Sequence, residues 1–137
     1  MTRTDAEAKT VLIIEDEMEM RFYLMAVVKS LGHKPVMARN GQQGLDMLKS
    51  KVPDLIILDI MMPEKGGALV YQEIKADPGL RKVPLMIFSG VDPEAFVHYV
   101  KMLNASPGTD TPVPKYYVEK SADPDYLKDM IARCIKA

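Results

Sequence analysis

The chain has 137 residues, of which 47% are hydrophobic and 27% charged, values typical of one globular domain. Its 18 basic and 19 acidic side chains give a net charge of −1, so no overall positive field favours nucleic acid and we expect no direct DNA binding. The single cysteine, Cys134, excludes an internal disulfide framework and a zinc–thiolate cluster. The apolar runs are too short for a membrane span or a signal-peptide core, so we expect a cytoplasmic protein without membrane contact.

Short apolar segments alternate with longer amphipathic ones along the chain. The segments that favour strands are residues 11–14, 35–38, 54–59, 84–88 and 115–118. The segments that favour helices are residues 18–31, a stretch after Gly41 that carries Leu45 and Leu48 towards Ser50, residues 68–75 and 93–103, and a closing stretch around 127–134. The first, third and fourth strands lack polar alternation, which is typical of strands buried on both faces of a parallel sheet.

Several residues mark where these elements begin and end. Gly32 stands where a helix end favours a left-handed residue. Pro35 places the second strand at an edge of the sheet. We expect a turn at Asn40-Gly41. Asp92 is typical of a helix N-cap, with Pro93 at the first helical position.

Two helices show an apolar stripe that predicts their buried face. In the first helix the stripe consists of Phe22, Met25, Ala26, Val28 and Leu31. In the closing helix it consists of Leu127, Met130, Ile131 and Cys134, at spacing i, i+3, i+4 and i+7. We therefore expect Cys134 to be an inert core residue rather than a reactive thiol.

Five strands alternating with five helices predict an α/β fold, a doubly wound parallel five-stranded sheet of (βα)5 type. In such a sheet the ligand site lies beyond the carboxyl ends of the strands, where the strand order reverses. The flavodoxin-like order 2-1-3-4-5 would place the first and third strands side by side. Asp16 and Asp59, which follow those two strands, would then be neighbours.

Polar side chains follow four of the five strands: Glu15-Asp16, Asp59, Ser89 and Lys120. Carboxylates placed together repel one another unless a cation or a proton compensates. All-oxygen ligands suit a hard divalent ion such as Mg²⁺ (or Mn²⁺). Carboxylate, hard metal, lysine and hydroxyl together are the groups needed for phosphoryl transfer onto an oxygen nucleophile.

These residues carry a resemblance to the receiver domains of response regulators, the signalling partners of histidine kinases, over about Lys9 to the C-terminus. Glu15-Asp16 resembles the acidic pair of that family, and Phe88-Ser89-Gly90 its hydroxyl motif. The other two motifs are the phosphoacceptor loop, Leu58-Asp59-Ile60-Met61-Met62-Pro63 followed by Gly67, and the aromatic-plus-lysine motif, Tyr117-Val118-Glu119-Lys120. Each motif alone is weak, but four in order at predicted strand ends are specific. The stand-alone, chemotaxis-regulator-like type fits best.

The resemblance implies the chemistry of the site. Asp59 would accept a phosphoryl group from a phosphohistidine. Asp16, Asp59 and the backbone carbonyl of Met61 would hold Mg²⁺, with Glu15 acting through water. Lys120 would pair with a phosphoryl oxygen.

The resemblance also implies a switch and its partners. Ser89 would hydrogen-bond the phosphoryl group, and the Tyr117 ring would turn inward. The fourth helix, fifth strand and fifth helix would then present a changed surface to a downstream protein or a second copy. The phosphoryl donor would be a histidine kinase or a phosphotransfer protein. We expect no enzymatic activity beyond the chain's catalysis of its own phosphorylation and dephosphorylation.

The predicted domain organisation is a flexible leader, residues 1–9, followed by the receiver domain, residues 10–137. The receiver would use nearly all of the chain, which leaves no length for a fused output module. We therefore expect the output to act in trans, through a docked partner.

Two features depart from the family. Ser121 follows Lys120 where the family usually has a proline after a cis peptide bond. A cis bond costs about 0.5–1 kcal/mol before proline and about 2.5–4 kcal/mol before other residues. We nevertheless expect a cis bond here, because the carboxylates need the Lys120 ammonium in the pocket. The second departure is the proline-rich loop, residues 104–114, which is either a partner-specific surface or a tolerated mobile insertion.

Three other interpretations compete. A degenerate receiver acting as a phosphorylation-independent binding module predicts loss of acceptor, metal or lysine positions, yet all are present. A small hydrolase or phosphatase with an aspartyl nucleophile commonly has a second acid two positions on, where this chain has Met61. A flavin-binding protein would need a phosphate-cradling loop after the first strand, where Glu15-Asp16-Glu17 would repel phosphate.

Overall fold

The computed structural model of the protein describes residues 7–62 and 66–136. The strands are β1 (Thr10–Ile14), β2 (Lys34–Ala38), β3 (Leu55–Leu58), β4 (Leu85–Ser89) and β5 (Tyr116–Glu119). The helices are α1 (Met18–Ser30), α2 (Gly41–Ser50), α3 (Gly67–Ala76), α4 (Pro93–Leu103) and α5 (Pro124–Lys136). Residues 1–6 of the predicted leader, Pro63 of the predicted phosphoacceptor loop and Ala137 lie outside the described residues.

The five strands form one parallel sheet in the order β2-β1-β3-β4-β5, which confirms the predicted α/β fold and strand order. Ile14 at the end of β1 stands opposite Ala38 on one side and Leu58 on the other. Pro35 lies in β2 at the sheet edge, where a strand residue without a backbone N–H is tolerated. The carboxyl ends of β1 and β3 therefore lie side by side.

Helices cover both faces of the sheet. Successive side chains of a strand point to opposite faces, so Leu12 and Ile14 pack with α2, α3 and α4, whereas Val11 and Ile13 pack with α1 and α5. Every residue of β1 from Val11 onwards is buried, as are all residues of β3 and β4. Burial on both faces explains why these strands read as uninterrupted apolar runs.

The predicted buried face of α1 is wrong in part. The buried residues of α1 are Leu24, Val27 and Val28, whereas Phe22 is 49% exposed. Helix α1 carries apolar residues at helical spacing on two adjacent stripes, and contact with the sheet selects between them. The stripe of α5 is confirmed, with Leu127, Ile131 and Cys134 buried and Met130 packed against them.

The predicted bounds of α4 are confirmed, those of α1 and α3 differ from the structure by one residue, and α5 begins earlier than the stretch predicted for it. Gly32 has a φ of 80°, the left-handed conformation expected after α1. The turn expected at Asn40-Gly41 is instead the N-cap of α2, where the Asn40 side chain accepts a hydrogen bond of 2.8 Å from the Gln43 backbone N–H. Asp92 is the N-cap residue of α4, but its side chain makes no capping hydrogen bond.

The loop of residues 104–114 has no regular structure, as predicted, but hydrogen bonds hold it in place. Asn104 and Thr111 exchange two bonds of 2.7 Å between the Asn104 amide and the Thr111 backbone. The buried Tyr71 donates a third to the Pro112 carbonyl. Among the described residues, no helix is long and apolar enough to cross a membrane.

Candidate functional site

Acidic residues directly follow two neighbouring strands at the carboxyl edge of the sheet. Glu15 and Asp16 follow β1, and Asp59 follows β3. The Asp59 backbone N–H donates to the Ile14 carbonyl at 3.0 Å, which continues the strand pairing into the site. Glu15 is 1% exposed and Asp59 2% exposed, so two carboxylates are held in the interior next to each other.

Glu15, Asp16 and Asp59 form a cluster in which one carboxylate oxygen from each residue lies within 4.8 Å of the others. The Asp16 Oδ1 atom is buried and accepts no hydrogen bond from any residue that the structure describes. A buried carboxylate oxygen without a donor is costly, and a cation resolves both this cost and the mutual repulsion. The cluster therefore fits a hard divalent ion such as Mg²⁺.

The Lys120 ammonium lies among these acids. Its Nζ atom is 2.9 Å from Glu15 Oε1, 3.3 Å from Asp59 Oδ2 and 3.2 Å from Glu17 Oε1. The Lys120 backbone N–H donates to the Ser89 carbonyl at 2.9 Å, which anchors the residue at the end of β5. One cation thus partly compensates three carboxylates.

The pKa values of the pair reflect this arrangement. Burial raises the pKa of Glu15 to about 7, and the Lys120 ammonium opposes but does not cancel that effect. For Lys120, burial lowers the pKa, but hydrogen bonding to Glu15 and the charge of Asp59 outweigh it, so the pKa lies above its usual value. Burial thus dominates the pKa of Glu15, whereas the surrounding carboxylates dominate that of Lys120.

The expectation of a cis bond between Lys120 and Ser121 is wrong. No peptide bond among the described residues is cis, and Lys120 still reaches Glu15 and Asp59. The physical reason is the length of the lysine side chain, whose flexible stem spans the distance from a trans backbone. The Lys120 ammonium therefore reaches the pocket without the free-energy cost of a cis bond before serine, which is about 2.5–4 kcal/mol.

Ser89 and Tyr117 converge on the backbone of Val91. Ser89 is fully buried at the end of β4, and its Oγ atom accepts a hydrogen bond of 3.3 Å from the Val91 N–H. The Tyr117 hydroxyl donates to the Val91 carbonyl at 2.7 Å, and its ring centroid is 6.2 Å from that of Phe96 in α4. Burial raises the pKa of Tyr117 to about 12. Both polar side chains are thus tied to the segment that leads into α4.

The loop after Asp59 is held close to the carboxylate. The Met61 backbone N–H donates to Asp59 Oδ1 at 3.0 Å, whereas the Met61 side chain is 64% exposed. A Cβ atom on Gly67 would overlap the Asp59 carbonyl oxygen and the Ile60 Cα atom. Glycine is therefore required where α3 begins directly against the Asp59 loop.

Two further residues shape the site without having been predicted from the sequence. Arg21 donates through Nη1 to the backbone carbonyls of Glu15 at 3.0 Å and Asp16 at 2.8 Å, which fixes the loop that carries both acids. Glu17 contacts Lys120 at 3.2 Å. An arginine close to the N-terminus of a helix interacts unfavourably with the helix dipole. This unusual position was the one signal in the sequence that pointed to Arg21.

Comparisons with known proteins identify the class. Residues 11–132 match the family model of the response regulator receiver domain, and the chain belongs to that family. Proteins of this family act in two-component signalling, with histidine kinases and downstream targets as partners. The family match favours the receiver over the hydrolase and flavin interpretations.

Curated relatives include two regulators. The polar-differentiation response regulator DivK of Brucella anthropi is 35% identical over 79 residues, which are 57% of this chain and 63% of DivK. The probable transcriptional regulator ycf27 of Guillardia theta is 36% identical over 88 residues, which are 64% of this chain and 34% of that protein. The aligned part thus spans less than two thirds of either relative.

Solved structures share the fold. The signal receiver domain of a histidine kinase from Syntrophus aciditrophicus has a TM-score of 0.78 and 25% identity, over 94% of this chain and 91% of that one. The chemotaxis protein CheY4 of Vibrio cholerae has a TM-score of 0.74 and 19% identity, over 93% of this chain and 98% of that one.

Proposed function

We propose that Asp59 accepts a phosphoryl group from the phosphohistidine of a histidine kinase or a phosphotransfer protein, in a reaction that needs Mg²⁺ or Mn²⁺. The observation that carries this proposal is the environment of the Asp59 carboxylate. It is 2% exposed, lies 3.3 Å from the Lys120 ammonium and shares a cluster with Glu15 and Asp16. Burying a carboxylate beside two others costs free energy on folding, and a carboxylate in such surroundings is typical of a reacting group.

In the proposed reaction a carboxylate oxygen of Asp59 attacks phosphorus. The phosphorus–nitrogen bond breaks, its electron pair returns to the imidazole nitrogen of the donor, and an acyl phosphate forms. Lys120 pairs with a phosphoryl oxygen, which stabilises the negative charge of the transferring group. Glu15, Asp16, Asp59 and the Met61 carbonyl would hold the divalent ion, which when bound neutralises charge on the phosphoryl oxygens.

The proposed switch uses contacts next to the site. The Ser89 hydroxyl donates to a phosphoryl oxygen, and rotation of the side chain towards that oxygen would weaken the hydrogen bond that its Oγ atom accepts from the Val91 N–H. Tyr117 responds because its hydroxyl is bonded to the same residue. The surface of α4, β5 and α5 then binds a downstream protein or a second copy of the chain. Catalysis is limited to the chain's own phosphorylation and dephosphorylation.

Labelling by acetyl phosphate tests the proposal. Wild type is expected to gain one phosphoryl group by intact mass in the presence of Mg²⁺ and none after chelation, whereas Asp59→Asn gains none. Asp54→Asn is the matched control. Asp54 directly precedes β3, at the end of the strand far from Asp59, and accepts a hydrogen bond from the Thr10 N–H. Labelling of Asp59→Asn equal to wild type would contradict the assignment.

The same experiment separates the alternative function. If acetyl phosphate never labels the wild type, and if the wild type and Asp59→Asn bind the kinase with equal affinity, the chain is a phosphorylation-independent binding module instead.

A further inference from the structure

A cavity of about 270 Å³ lies at the amino-terminal ends of β4 and β5. Asp59 lies at the other end of the sheet, where the strands have their carboxyl ends. Four cationic side chains line it: Lys75, Arg81, Lys82 and Lys115. No aspartate or glutamate is among its described lining residues. The chain as a whole has nearly equal numbers of acidic and basic residues, so this is a local excess of positive charge that the composition does not predict.

Within the part of the chain that the structure describes, the four cations have no acidic partners. No carboxylate of residues 7–62 and 66–136 lies within 4.0 Å of any of them. The acid nearest in sequence to Arg81 is Asp77, whose Oδ1 atom instead accepts a hydrogen bond of 2.7 Å from the Gly79 N–H. Like charges gathered around one cavity repel each other, and a bound anion removes that repulsion.

Two of the four cations, Lys75 and Lys115, contact other residues that line the cavity. The Lys75 Nζ atom donates to the Arg81 carbonyl at 3.3 Å and lies 5.9 Å from the centre of the Tyr71 ring. Burial lowers the pKa of Lys75, which means that its ammonium lacks part of its hydration and gains from a nearby anion. The Lys115 Nζ atom lies 5.4 Å from the centre of the Tyr116 ring.

One wall comes from the end of the proline-rich loop. Pro114 lines the cavity together with Lys115. The hydrogen bond from Tyr71 to the Pro112 carbonyl fixes the loop two residues earlier. The segment that departs from the family in the sequence therefore helps to build the cavity.

We propose that this cavity binds a small molecule that carries two or more phosphate groups. Its volume equals that of about nine water molecules at roughly 30 Å³ each, which is enough for a diphosphate. Arginine binds phosphate oxygens through a planar pair of donors, and lysine supplies a compact charge beside it. Four cations match the charge of a diphosphate better than that of a single phosphate.

Calorimetric titration with inorganic pyrophosphate tests this proposal. The titration uses buffer freed of divalent cations, so that the acidic cluster at Asp59 repels the anion. We expect saturable binding to one site, weakened at least about tenfold in Arg81→Gln/Lys82→Gln, since each charge-assisted hydrogen bond contributes that order of affinity. Both side chains are exposed, so this variant is expected to fold. Lys29→Gln/Lys101→Gln removes two exposed charges elsewhere and should bind as wild type does.

Three further ligands sharpen the outcome. Guanosine diphosphate that binds more tightly than pyrophosphate would assign the site to nucleotides, and equal binding would assign it to inorganic phosphates; both support the proposal. If citrate binds as tightly as pyrophosphate, the proposal that the cavity recognises phosphate groups is overturned. Duplex DNA that binds through Arg81 and Lys82 without competition from pyrophosphate would identify a macromolecular surface instead. An absence of saturable binding, or equal losses in both double variants, would also overturn the proposal.

Discussion

The hydroxyl of Tyr71 in α3 donates a hydrogen bond of 2.6 Å to the Pro112 carbonyl, 41 residues further along the chain. The Tyr71 ring packs edge-on against Phe96, with centroids 5.4 Å apart, and Phe96 lies 6.2 Å from Tyr117. A continuous row of three aromatic rings thus connects the loop of residues 104–114 with the tyrosine that we propose as part of the switch. The loop is anchored to the core on the side that faces α4.

Replacing Tyr71 by Phe tests that anchor. The substitution keeps the ring but leaves the Pro112 carbonyl without its donor, so we expect the free energy of unfolding to fall by about 1 kcal/mol and proteolysis within residues 104–114 to become faster. Urea denaturation and limited proteolysis measure the two effects. Tyr126→Phe is the control, because Tyr126 is 51% exposed. Equal stability and equal cleavage of the two variants would contradict the anchoring role.

Two adjacent glycines at the start of α3 should differ sharply. A Cβ atom at Gly67 would overlap backbone atoms of Asp59 and Ile60, which cannot rotate away, whereas one at Gly66 would have no atom within 4 Å. We expect Gly67→Ala to destabilise by about 1–3 kcal/mol or more and to displace the Asp59 loop, which would slow labelling by acetyl phosphate. Gly66→Ala should cost less than about 1 kcal/mol, the size of an N-cap effect. Similar denaturation midpoints for the two variants would refute this account.

The acidic cluster predicts stabilisation by Mg²⁺. At a Mg²⁺ concentration of ten times its Kd, binding to the folded state alone adds about 1.4 kcal/mol, which raises the melting temperature by roughly 4 °C for a domain of this size. Asp16→Asn should lose this response and melt higher than wild type without metal, because one repelling charge is gone. Asp46→Asn, which alters an exposed ion pair with Lys49, should respond as wild type does. A Mg²⁺ response retained by Asp16→Asn would argue against the metal site.

The buried thiol of Cys134 predicts a pH dependence at high pH. Burial raises the pKa of Cys134 to about 12 from an ordinary value of 9.0. The folded state therefore binds more protons than the unfolded state between these values, and the stability that the thiol contributes is lost as the pH rises through that window. In Cys134→Ala this part of the decline should be absent, which urea denaturation at several pH values measures.

The same burial predicts an unreactive thiol at pH 8, since the thiolate is the reacting form. A disulfide reagent should modify native Cys134 no faster than the protein unfolds, and should modify it at once in concentrated urea. Rapid modification of the native protein would show that the closing helix does not bury this residue.

The fold and the position of the site follow from local patterns in the sequence. Uninterrupted apolar runs such as Val11–Ile14 and residues 55–58 predict strands buried on both faces, and their alternation with helices predicts a parallel sheet. Because the carboxyl ends of parallel strands meet at one edge, Glu15, Asp16 and Asp59 could be placed together from their positions after the strands. These inferences need only backbone periodicity and the order of elements along the chain.

The tertiary structure decided the contacts that depend on how the elements dock. It selected the buried stripe of α1, brought Lys120 to the carboxylates from a trans backbone, and placed Arg21 on the carbonyls of Glu15 and Asp16. It also gathered Lys75, Arg81, Lys82 and Lys115 from separate segments around one cavity. Apart from the approach of Lys120 to the carboxylates, which the motif after the fifth strand predicted, none of these contacts has a local signature strong enough to predict it. Each joins residues whose distance depends on side-chain reach and packing rather than on spacing along the chain.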